Sequence, residues 1–225
     1  MSASDWSAVW LTARLAALTT LILLMVATPL AWRLSRARGR WRAPVEALVA
    51  LPLVLPPTAL GFYLLLLMSP NSMFGGWWLE RTGGTLAFSF HGLLLASLVY
   101  SLPFAVQPLQ NAFEAVGRGP MEAASSLRAR PLDAFLTVAA PMAGRGYATA
   151  GALVFAHCLG EFGVLLMVGG NIPGRTRVIS MALFEHVESL DYAAAHRLAG
   201  GLLLVSFCIL LTVALLNGRF RSMRA

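Results

Sequence analysis

The stretch ALVALPLVLPPTALGFYLLLLM, residues Ala47–Met68, decides the fold class because none of its 22 residues is charged. A helix needs about 20 mainly apolar residues to cross the hydrocarbon core of a bilayer, so this stretch is long enough to span a membrane. Four further stretches of similar length and character lie at Ala8–Trp32, Thr85–Leu109, Gly146–Gly169 and Leu198–Asn217. The sequence therefore predicts an all-α, polytopic transmembrane helix bundle of about five spans, with residues 1–225 forming one domain.

The composition is typical of a protein embedded in lipid. Only 12% of the 225 residues are charged and 58% are hydrophobic, whereas soluble domains have about 25% charged residues. All 17 basic residues are arginines, and the formal net charge is +7. Arginines on membrane loops account for this charge, and there is no soluble basic domain that would bind nucleic acid. We therefore expect no nucleic-acid partner.

The arginines are divided unequally between the two sets of loops that five spans create. One set carries twelve of them: Arg33, Arg36, Arg38, Arg40, Arg42, Arg118, Arg128, Arg130, Arg145, Arg219, Arg221 and Arg224. The opposite set carries four: Arg81, Arg175, Arg177 and Arg197. Since arginine-rich loops remain in the cytoplasm, we expect the N-terminus outside the cell and the C-terminus inside.

Prolines interrupt two of the predicted spans. Pro52, Pro56 and Pro57 lie in the second span, and Pro103 and Pro108 lie in the third. Each proline removes a backbone donor and disturbs the preceding turn, and the carbonyl groups released in this way need partners inside the bundle. One interpretation is that the helices are simply kinked. The other is that these two spans line a pathway whose width changes by hinging at the kinks.

The segment 117–142, between the third and fourth spans, carries charged residues among apolar ones. Gly119 suits the N-cap of a helix, Pro120 suits the first helical position, and Glu122 lies in the first turn, where the helix dipole favours an anion. Pro131 is expected to end this helix and to start a second one. A helix over residues 119–131 is too short to cross a bilayer, so we expect it on the cytoplasmic side.

The two short helices of this segment are expected to present different surfaces. In the second, an apolar stripe that would lie against the membrane domain recurs at helical spacing, at Leu132, Phe135, Leu136 and Ala139. In the first, Ala123, Ala124 and Leu127 are expected on one side, open to the cytosol, where small side chains let another protein approach closely. The alternative is a solvated helix without a partner, and the physical pattern alone leaves both open.

The stretch EAASSLRARPLDAFLTVAAP, residues 122–141, resembles the cytoplasmic EAA loop of the permeases of ABC importers. The positions that match the loop pattern are Glu122, Ala123, Ala124, Leu127 and Pro141. In that family the loop is a coupling helix that docks into a groove of the ATPase subunit. Arg128 stands where the family usually has glycine, and Ala140 replaces the leucine before Pro141. A helix-compatible Arg128 predicts a straighter segment with an added charge at the docking surface.

Four further stretches of sequence make the resemblance more specific, because they are similar to the permeases of molybdate importers. They are LPPTALGFYLLLL at 55–67, YSLPFAVQPLQNAFEAV at 100–116, GEFGVLLMVGGNIPGRT at 160–176 and LDYAAAHRL at 190–198. The resemblance covers about Val45 to Leu198. It implies a type I importer fold, import of molybdate or tungstate through the inner membrane of a prokaryote, and sulfate or thiosulfate as the alternative substrate. It also implies a permease homodimer, two cytosolic ATPase subunits, and a periplasmic or extracellular binding protein.

The energy for such import must come from another subunit. A phosphate-binding P-loop requires a lysine, and this chain has none. Moving two negative charges inward against an assumed ~150 mV costs roughly 7 kcal/mol, at about 2.3 kcal/mol per charge per 100 mV. We therefore expect a transport subunit that is not itself an enzyme and holds no cofactor, with ATP and Mg²⁺ bound by the partner ATPase.

Two alternatives from other functional classes were open. His157 and Glu161 are spaced i, i+4 on the fourth span, which places an imidazole and a carboxylate on one helix face, as in some metal sites. A catalytic zinc site usually needs three protein ligands, however, and no third is evident. A secondary carrier usually has paired internal repeats, and the halves of this chain show none that is convincing.

Several polar residues are candidates for the transport pathway or for docking. An oxyanion pathway needs hydrogen-bond donors that do not trap the ion, so the candidates for the pathway or gate are Thr58, Ser101, Glu161 and Asn171. A charged Glu161 would repel a dianion, and we therefore expect it to be structural or gating. Arg175 and Arg177 are expected either to contact acidic patches on a delivery protein or merely to be solvated. No metal site is predicted.

Overall fold

The computed structural model describes residues 2–219, with side chains described for residues 2–215. Arg221 and Arg224 of the arginine set above lie outside the described residues. Within them the chain is helical, without β-strands. The helices are α1 Ala3–Arg36, α2 Arg42–Val54, α3 Pro57–Met68, α4 Met73–Thr82, α5 Phe90–Val116, α6 Gly119–Ser126, α7 Pro131–Ala134, a π-helical turn Phe135–Ala139, α8 Ala140–Met142, α9 Gly144–Gly160, α10 Gly163–Gly169, α11 Ile179–Glu188 and α12 Tyr192–Arg219.

Three of these helices, α1, α5 and α12, are each long and apolar enough to cross a membrane. Two further spans consist of helix pairs that are sharply bent, by 109° between α2 and α3 and by 62° between α9 and α10. Counted in this way, the structure has up to five spans, and the prediction of an all-α bundle of about five spans is confirmed.

The prolines act differently in the two spans that contain them. Leu55 and Pro56 each precede a proline, and both adopt extended backbone angles, with ψ values of 137° and 132°. Proline disfavours the helical conformation of the residue before it, so two consecutive prolines produce the break between α2 and α3. Pro103 and Pro108, by contrast, lie within the continuous helix α5. The second span is therefore broken, and the third is not.

The break between α9 and α10 contains no proline. α9 ends at Gly160, Glu161 is extended with φ −63° and ψ 124°, and α10 starts at Gly163. The bent halves of the two broken spans pack closely, because a Cβ atom on Gly61 of α3 would lie only 2.8 Å from the Cβ of Met167 on α10. The two breaks are thus brought to the same region of the bundle.

The core consists of two main apolar clusters, one towards each end of the bundle. The first joins α1, α5 and α9 and contains Leu34, Phe113 and Ala143; we call this the arginine-rich end, because Arg36 and Arg118 lie there. The second cluster, towards the opposite end, contains Met68 and Val168. α12 packs against the first cluster through Leu202 and Ile209, but only 6% of its most apolar window is buried. The apolar surface of α12 is therefore left for lipid or another chain.

Candidate functional site: a central polar cluster and the 117–142 segment

A buried polar cluster lies where α9 ends and passes α5. Ser101 Oγ donates a hydrogen bond of 2.7 Å to Glu161 Oε1 and lies 2.9 Å from His157 Nδ1. His157 Nδ1 is also 3.0 Å from Glu161 Oε1. The predicted contact between His157 and Glu161 is therefore present, although Glu161 lies at the helix break and not within the helix. Ser101 joins the two across the bundle.

Other groups also hold the break at Glu161 in place. Ser180 Oγ, on α11, donates to the backbone carbonyl of Glu161. Cys158 Sγ, one turn before the break, lies 3.2 Å from Ser97 Oγ on α5. Within the described part of the chain, Glu161 Oε2 is buried without a hydrogen-bond partner. This oxygen can therefore accept a further hydrogen bond if the break rearranges.

A cavity of about 370 Å³ opens beside this cluster. Its lining includes Pro57 from the first break and Glu161 and Gly163 from the second, together with Tyr100 and His157. Polar side chains and both helix breaks therefore meet at one cavity. This arrangement combines hydrogen-bonding groups with two joints at which the helices change direction.

The other predicted pathway residues lie less centrally. Thr58 is exposed and follows Pro57, with its backbone nitrogen close to Gly163, so it borders the cavity without being part of the polar cluster. Asn171 lies on the loop after α10 with φ 55°, and its Nδ2 is 3.4 Å from Glu185 Oε2. The structure brings Ser101 and Glu161 together and leaves Asn171 apart from them.

The two arginines predicted for docking a delivery protein differ. Arg175 is exposed. Arg177 is 7% exposed, pairs with Glu185 Oε2 at 3.2 Å, and has Nη1 3.4 Å from Ser4 Oγ. The side chain of Arg177 is therefore neither available to a partner nor solvated. Its ion pair instead ties the loop between α10 and α11 to α11 itself.

His157 and Glu161 were considered as a metal site, and the described part of the structure adds no third ligand to them. Among the described residues, no group of three or more His, Cys, Asp and Glu side chains is positioned to hold a metal ion. The groups that surround His157 and Glu161 are hydroxyl, thiol and aromatic side chains, including Phe104, which is stacked on the imidazole with ring centroids 4.2 Å apart. The contacts are those of a hydrogen-bonded cluster within the bundle.

The 117–142 segment projects from the arginine-rich end, and its first helix differs in orientation from the prediction. α6 runs from Gly119 to Ser126 with Arg118 at the N-cap position, so the N-cap predicted at Gly119 and the helix end predicted at Pro131 were wrong. Glu122 lies in the first turn, as expected. Ala124 is buried, at 8% exposure, whereas Leu127 is 84% exposed and Ala123 is exposed. The expectation that these three residues share one open face was wrong for Ala124, which faces the protein.

Arg128 does not continue the helix, contrary to the prediction of a straighter segment. It adopts φ 59°, in the left-handed region. The backbone nitrogen of Arg128 donates to the Ser125 carbonyl at 2.9 Å, and that of Ala129 donates to the Ala124 carbonyl at 3.1 Å. These two bonds form a Schellman motif, in which a left-handed residue follows the helix end. Arg128 thus has the backbone conformation that a glycine adopts most readily.

The apolar stripe predicted for the second helix is only half correct. Phe135 is partly buried and Ala139 fully buried, but Leu132 and Leu136 are 67% and 56% exposed. The residues that face the bundle are Ala134, Phe135 and Ala139, so the buried face is displaced by one position from the predicted stripe. Within this face the chain forms a π-helical turn at Phe135–Ala139, which is wider than an α-helical turn.

An aromatic cluster fastens this segment to the bundle. Ring centroids of Phe135 and Trp32 of α1 are 4.9 Å apart, and those of Phe135 and Phe113 of α5 are 5.9 Å apart. Trp32 and Phe113 are themselves 5.1 Å apart, and Tyr147 of α9 is 6.1 Å from Phe113. Edge-to-face contacts of this kind hold rings in defined orientations. The segment is therefore packed against three membrane helices.

A polar cluster that joins α2 and α5 was not predicted from the sequence. Arg42 bonds to both Glu46 and Glu114 at 2.7 Å, and Gln110 donates to Glu46 at 2.6 Å, which ties α2 to α5 at the arginine-rich end. Because the α2 residues and the α5 residues lie far apart in the sequence, spacing along the chain does not predict the contact between them. Gln110 and Glu114 lie within the quoted 100–116 run, which was the available signal.

A sequence profile for the family described as binding-protein-dependent transport system inner membrane component matches residues 24–222. The chain belongs to this family. As a binding-protein-dependent permease, it is a multi-pass inner-membrane transport component, and its class works with an ATPase and a substrate-binding protein.

Known relatives of this permease differ in the substrate that their names give. The chain is 56% identical over 210 residues to the molybdenum transport system permease protein ModB of Azotobacter vinelandii, with 93% of each protein covered. It is 34% identical over 185 residues to ModB of Escherichia coli (strain K12), covering 82% of this chain and 81% of that protein. It is 33% identical over 191 residues to the sulfate transport system permease protein CysT of the same strain, covering 85% and 69%.

The fold of the permease is similar to that of a solved transporter. A chain from the crystal structure of a bacterial alginate ABC transporter, in complex with an alginate pentasaccharide-bound periplasmic protein, superposes with a TM-score of 0.76. The alignment covers 98% of this chain and 80% of that chain at 16% identity. At this identity the similarity concerns the fold alone, and it supports the predicted ABC-importer architecture.

Proposed function

We propose that this chain is the membrane-spanning subunit of an ATP-driven importer for molybdate, and for the similar oxyanion tungstate. The substrate assignment rests on the 56% identity to the Azotobacter vinelandii molybdenum permease over 93% of both proteins. The sulfate permease relatives are 33% identical over a smaller share of their own length, so they favour sulfate or thiosulfate less. A secondary carrier or an intramembrane metalloenzyme has no such support.

The 117–142 segment is the proposed coupling loop, with a cytosolic ATPase docked on α6. The exposed groups on this helix and its end are Glu122, Ala123, Leu127 and Arg128. Leu127 offers an apolar side chain that is 84% exposed, and Glu122 offers a charge that sets register. Ala124 supports the helix from beneath, because it is buried against the permease.

Transmission from the loop to the pathway follows the contacts of the aromatic cluster. Phe135 contacts Trp32 and Phe113, and Phe113 contacts Tyr147 at the start of α9. α9 ends at Glu161, beside the central cavity. A displacement of α6 by the ATPase would therefore reach the break of the fourth span through continuous packing, and would open or close the cavity by changing the bend.

The central cavity is the proposed stretch of the oxyanion pathway. Tyr100, His157 and Glu161 line this space, and Ser101 lies behind them, where its hydroxyl group donates to Glu161. Glu161 would repel a dianion if it were charged and free. Its contacts with Ser101 and His157, at 2.7 Å and 3.0 Å, support a gating role in which the carboxyl group holds the helix break and stays off the ion. Thr58 would border this path, and Asn171 would belong to the outer loop only.

The complete importer would contain more than this chain. We propose one transmembrane domain over residues 1–225, used twice in a homodimer, with two ATPase subunits that bind ATP and Mg²⁺ and with no cofactor in the permease itself. The N-terminus would lie outside and the C-terminus in the cytoplasm. A periplasmic or extracellular oxyanion-binding protein would dock at the outer end, where Arg175 is exposed.

The test is reconstitution of the permease with its ATPase and delivery protein in liposomes. ATP-dependent uptake of molybdate, with little competition from excess sulfate, is expected. Uptake of sulfate in preference to molybdate would overturn the substrate assignment, and uptake without the ATPase subunit would overturn the importer class.

A matched pair of variants tests whether the ATPase docks on α6. Glu122→Lys should leave ATP hydrolysis in the complex but reduce the molybdate imported per ATP, because it reverses a charge at the proposed docking surface. Glu188→Lys makes the same change at an exposed position of α11, at the opposite end of the bundle, and should have little effect. Equal transport by both variants would remove the basis for placing the ATPase on α6.

A further inference from the structure

A second polar cavity lies at the opposite end of the bundle from the 117–142 segment, and of the residues that line it the proposed function involves Arg175 alone. It has a volume of about 420 Å³ and lies between α1, the start of α5 and the outer loop. Three basic side chains from these three elements line it: Arg14, His91 and Arg175. The hydroxyl-bearing residues Ser7 and Ser89 also line it.

The two arginines of this cavity lack partners of opposite charge within the described residues. Arg14 has its guanidinium carbon 4.6 Å from the ring centroid of Phe90 and forms no ion pair there. Arg175 is exposed, and its backbone nitrogen bonds to the Ile172 carbonyl. His91 is held by Trp78, with ring centroids 5.4 Å apart. Aromatic contacts therefore orient Arg14 and His91 and leave the charge of Arg14 without an ion-pair partner.

None of the acidic residues near this end that the structure describes lines the cavity. Glu185 pairs with Arg177 at 3.2 Å, and Asp5 contacts His186 at 3.0 Å. Glu80 is exposed on α4 and does not line the cavity. The cavity is thus lined by basic groups without a carboxylate, although carboxylates are available in the same part of the structure. Two uncompensated guanidinium groups facing one space attract an anion.

We propose that this cavity is a binding site for a tetrahedral oxyanion, held by Arg14 and Arg175 with His91 as a third donor. Guanidinium groups present paired N–H donors whose geometry matches the oxygens of phosphate-like ions. The ion has two possible sources with the same chemistry. One is a free oxyanion such as molybdate or sulfate, and the other is the phosphate of a phospholipid headgroup, which would reach the site at the membrane surface. The inference does not depend on transport, because it concerns binding by the permease alone.

The test measures binding by the purified full-length chain in lipid nanodiscs at low ionic strength. In phosphatidylcholine discs, equilibrium dialysis with molybdate, and separately with sulfate, should show about one ion per chain that is released by salt. The double variant Arg14→Gln/Arg175→Gln should bind roughly tenfold more weakly or worse, since each charged hydrogen bond contributes more than a neutral one. Arg81→Gln is the control, because Arg81 lies over Trp77 and does not line the cavity.

A second arm identifies the source of the anion. If the occupant is a lipid, discs containing phosphatidylglycerol should abolish the binding of the free ions, and native mass spectrometry should show retained phosphatidylglycerol in the wild type but not in the double variant. If the free ion is the occupant, its binding should persist in those discs. Equal binding by wild type and double variant, or no binding of ion or lipid by the wild type, would overturn the proposal. Thermal unfolding of each variant checks that the fold is kept.

Discussion

Truncation of Phe135 to alanine tests whether the aromatic cluster connects the coupling loop to the bundle. The change removes ring contacts with Trp32 and Phe113, whose centroids lie 4.9 Å and 5.9 Å away. Each aromatic pair contributes about 0.5–1.5 kcal/mol beyond the area that it buries, so the loop should lose roughly 1–3 kcal/mol of attachment. A change of that size shifts an equilibrium between attached and detached segments by about 5–150-fold.

Two measurements should detect this loss. Backbone amides of residues 119–134 should exchange hydrogen faster in the isolated permease, and the reconstituted complex should import less molybdate for each ATP hydrolysed. Phe207→Ala is the control, because Phe207 is 61% exposed on α12 and far from the cluster in sequence. If Phe135→Ala changed neither exchange nor the transport ratio, or if Phe207→Ala changed both equally, the reasoning about transmission would be refuted.

Two further substitutions have predictable effects on stability. Arg128→Gly should stabilise the folded chain by roughly 1 kcal/mol, because φ 59° is costly for a residue with a Cβ atom; a lower thermal unfolding midpoint than that of the wild type would contradict this account. Ser101→Ala removes the 2.7 Å hydrogen bond to buried Glu161 and should cost about 1–3 kcal/mol. Ser97→Ala, which removes only a contact to Cys158 Sγ at 3.2 Å, should cost less in the same denaturation assay.

The sequence was sufficient for the fold class because span length and charge follow directly from the bilayer. The break at Pro56 and Pro57 could be expected from proline chemistry, but its angle of 109° could not. The uninterrupted α5 shows why: the same residue type at Pro103 and Pro108 is accommodated within a helix. Local chemistry predicts where a helix is weakened, and packing against neighbours decides whether it breaks.

Contacts within the site could be predicted only between residues that lie close together in the sequence. His157 and Glu161 were placed together correctly because four residues separate them, whereas their contact with Ser101 joins positions about 60 residues apart and depends on the packing of α5 against α9. Arg128 was misjudged because arginine has good helix propensity. The Schellman hydrogen bonds at the end of α6 hold it in the left-handed conformation despite that propensity.

The π-helical turn at Phe135–Ala139 limits how the chain length can vary between α6 and α9. Such a turn accommodates roughly one residue more than an α-helical turn. Deleting one residue here would restore regular α-helix and leave the two flanking segments close to their present orientation, because the wide turn is what absorbs that residue. The same deletion within α7 would instead rotate the N-terminal side by roughly 100° about the helix axis and turn Glu122 and Leu127 in a different direction. The chain can therefore lose a residue at this turn, and not beside it, without changing which side chains α6 presents.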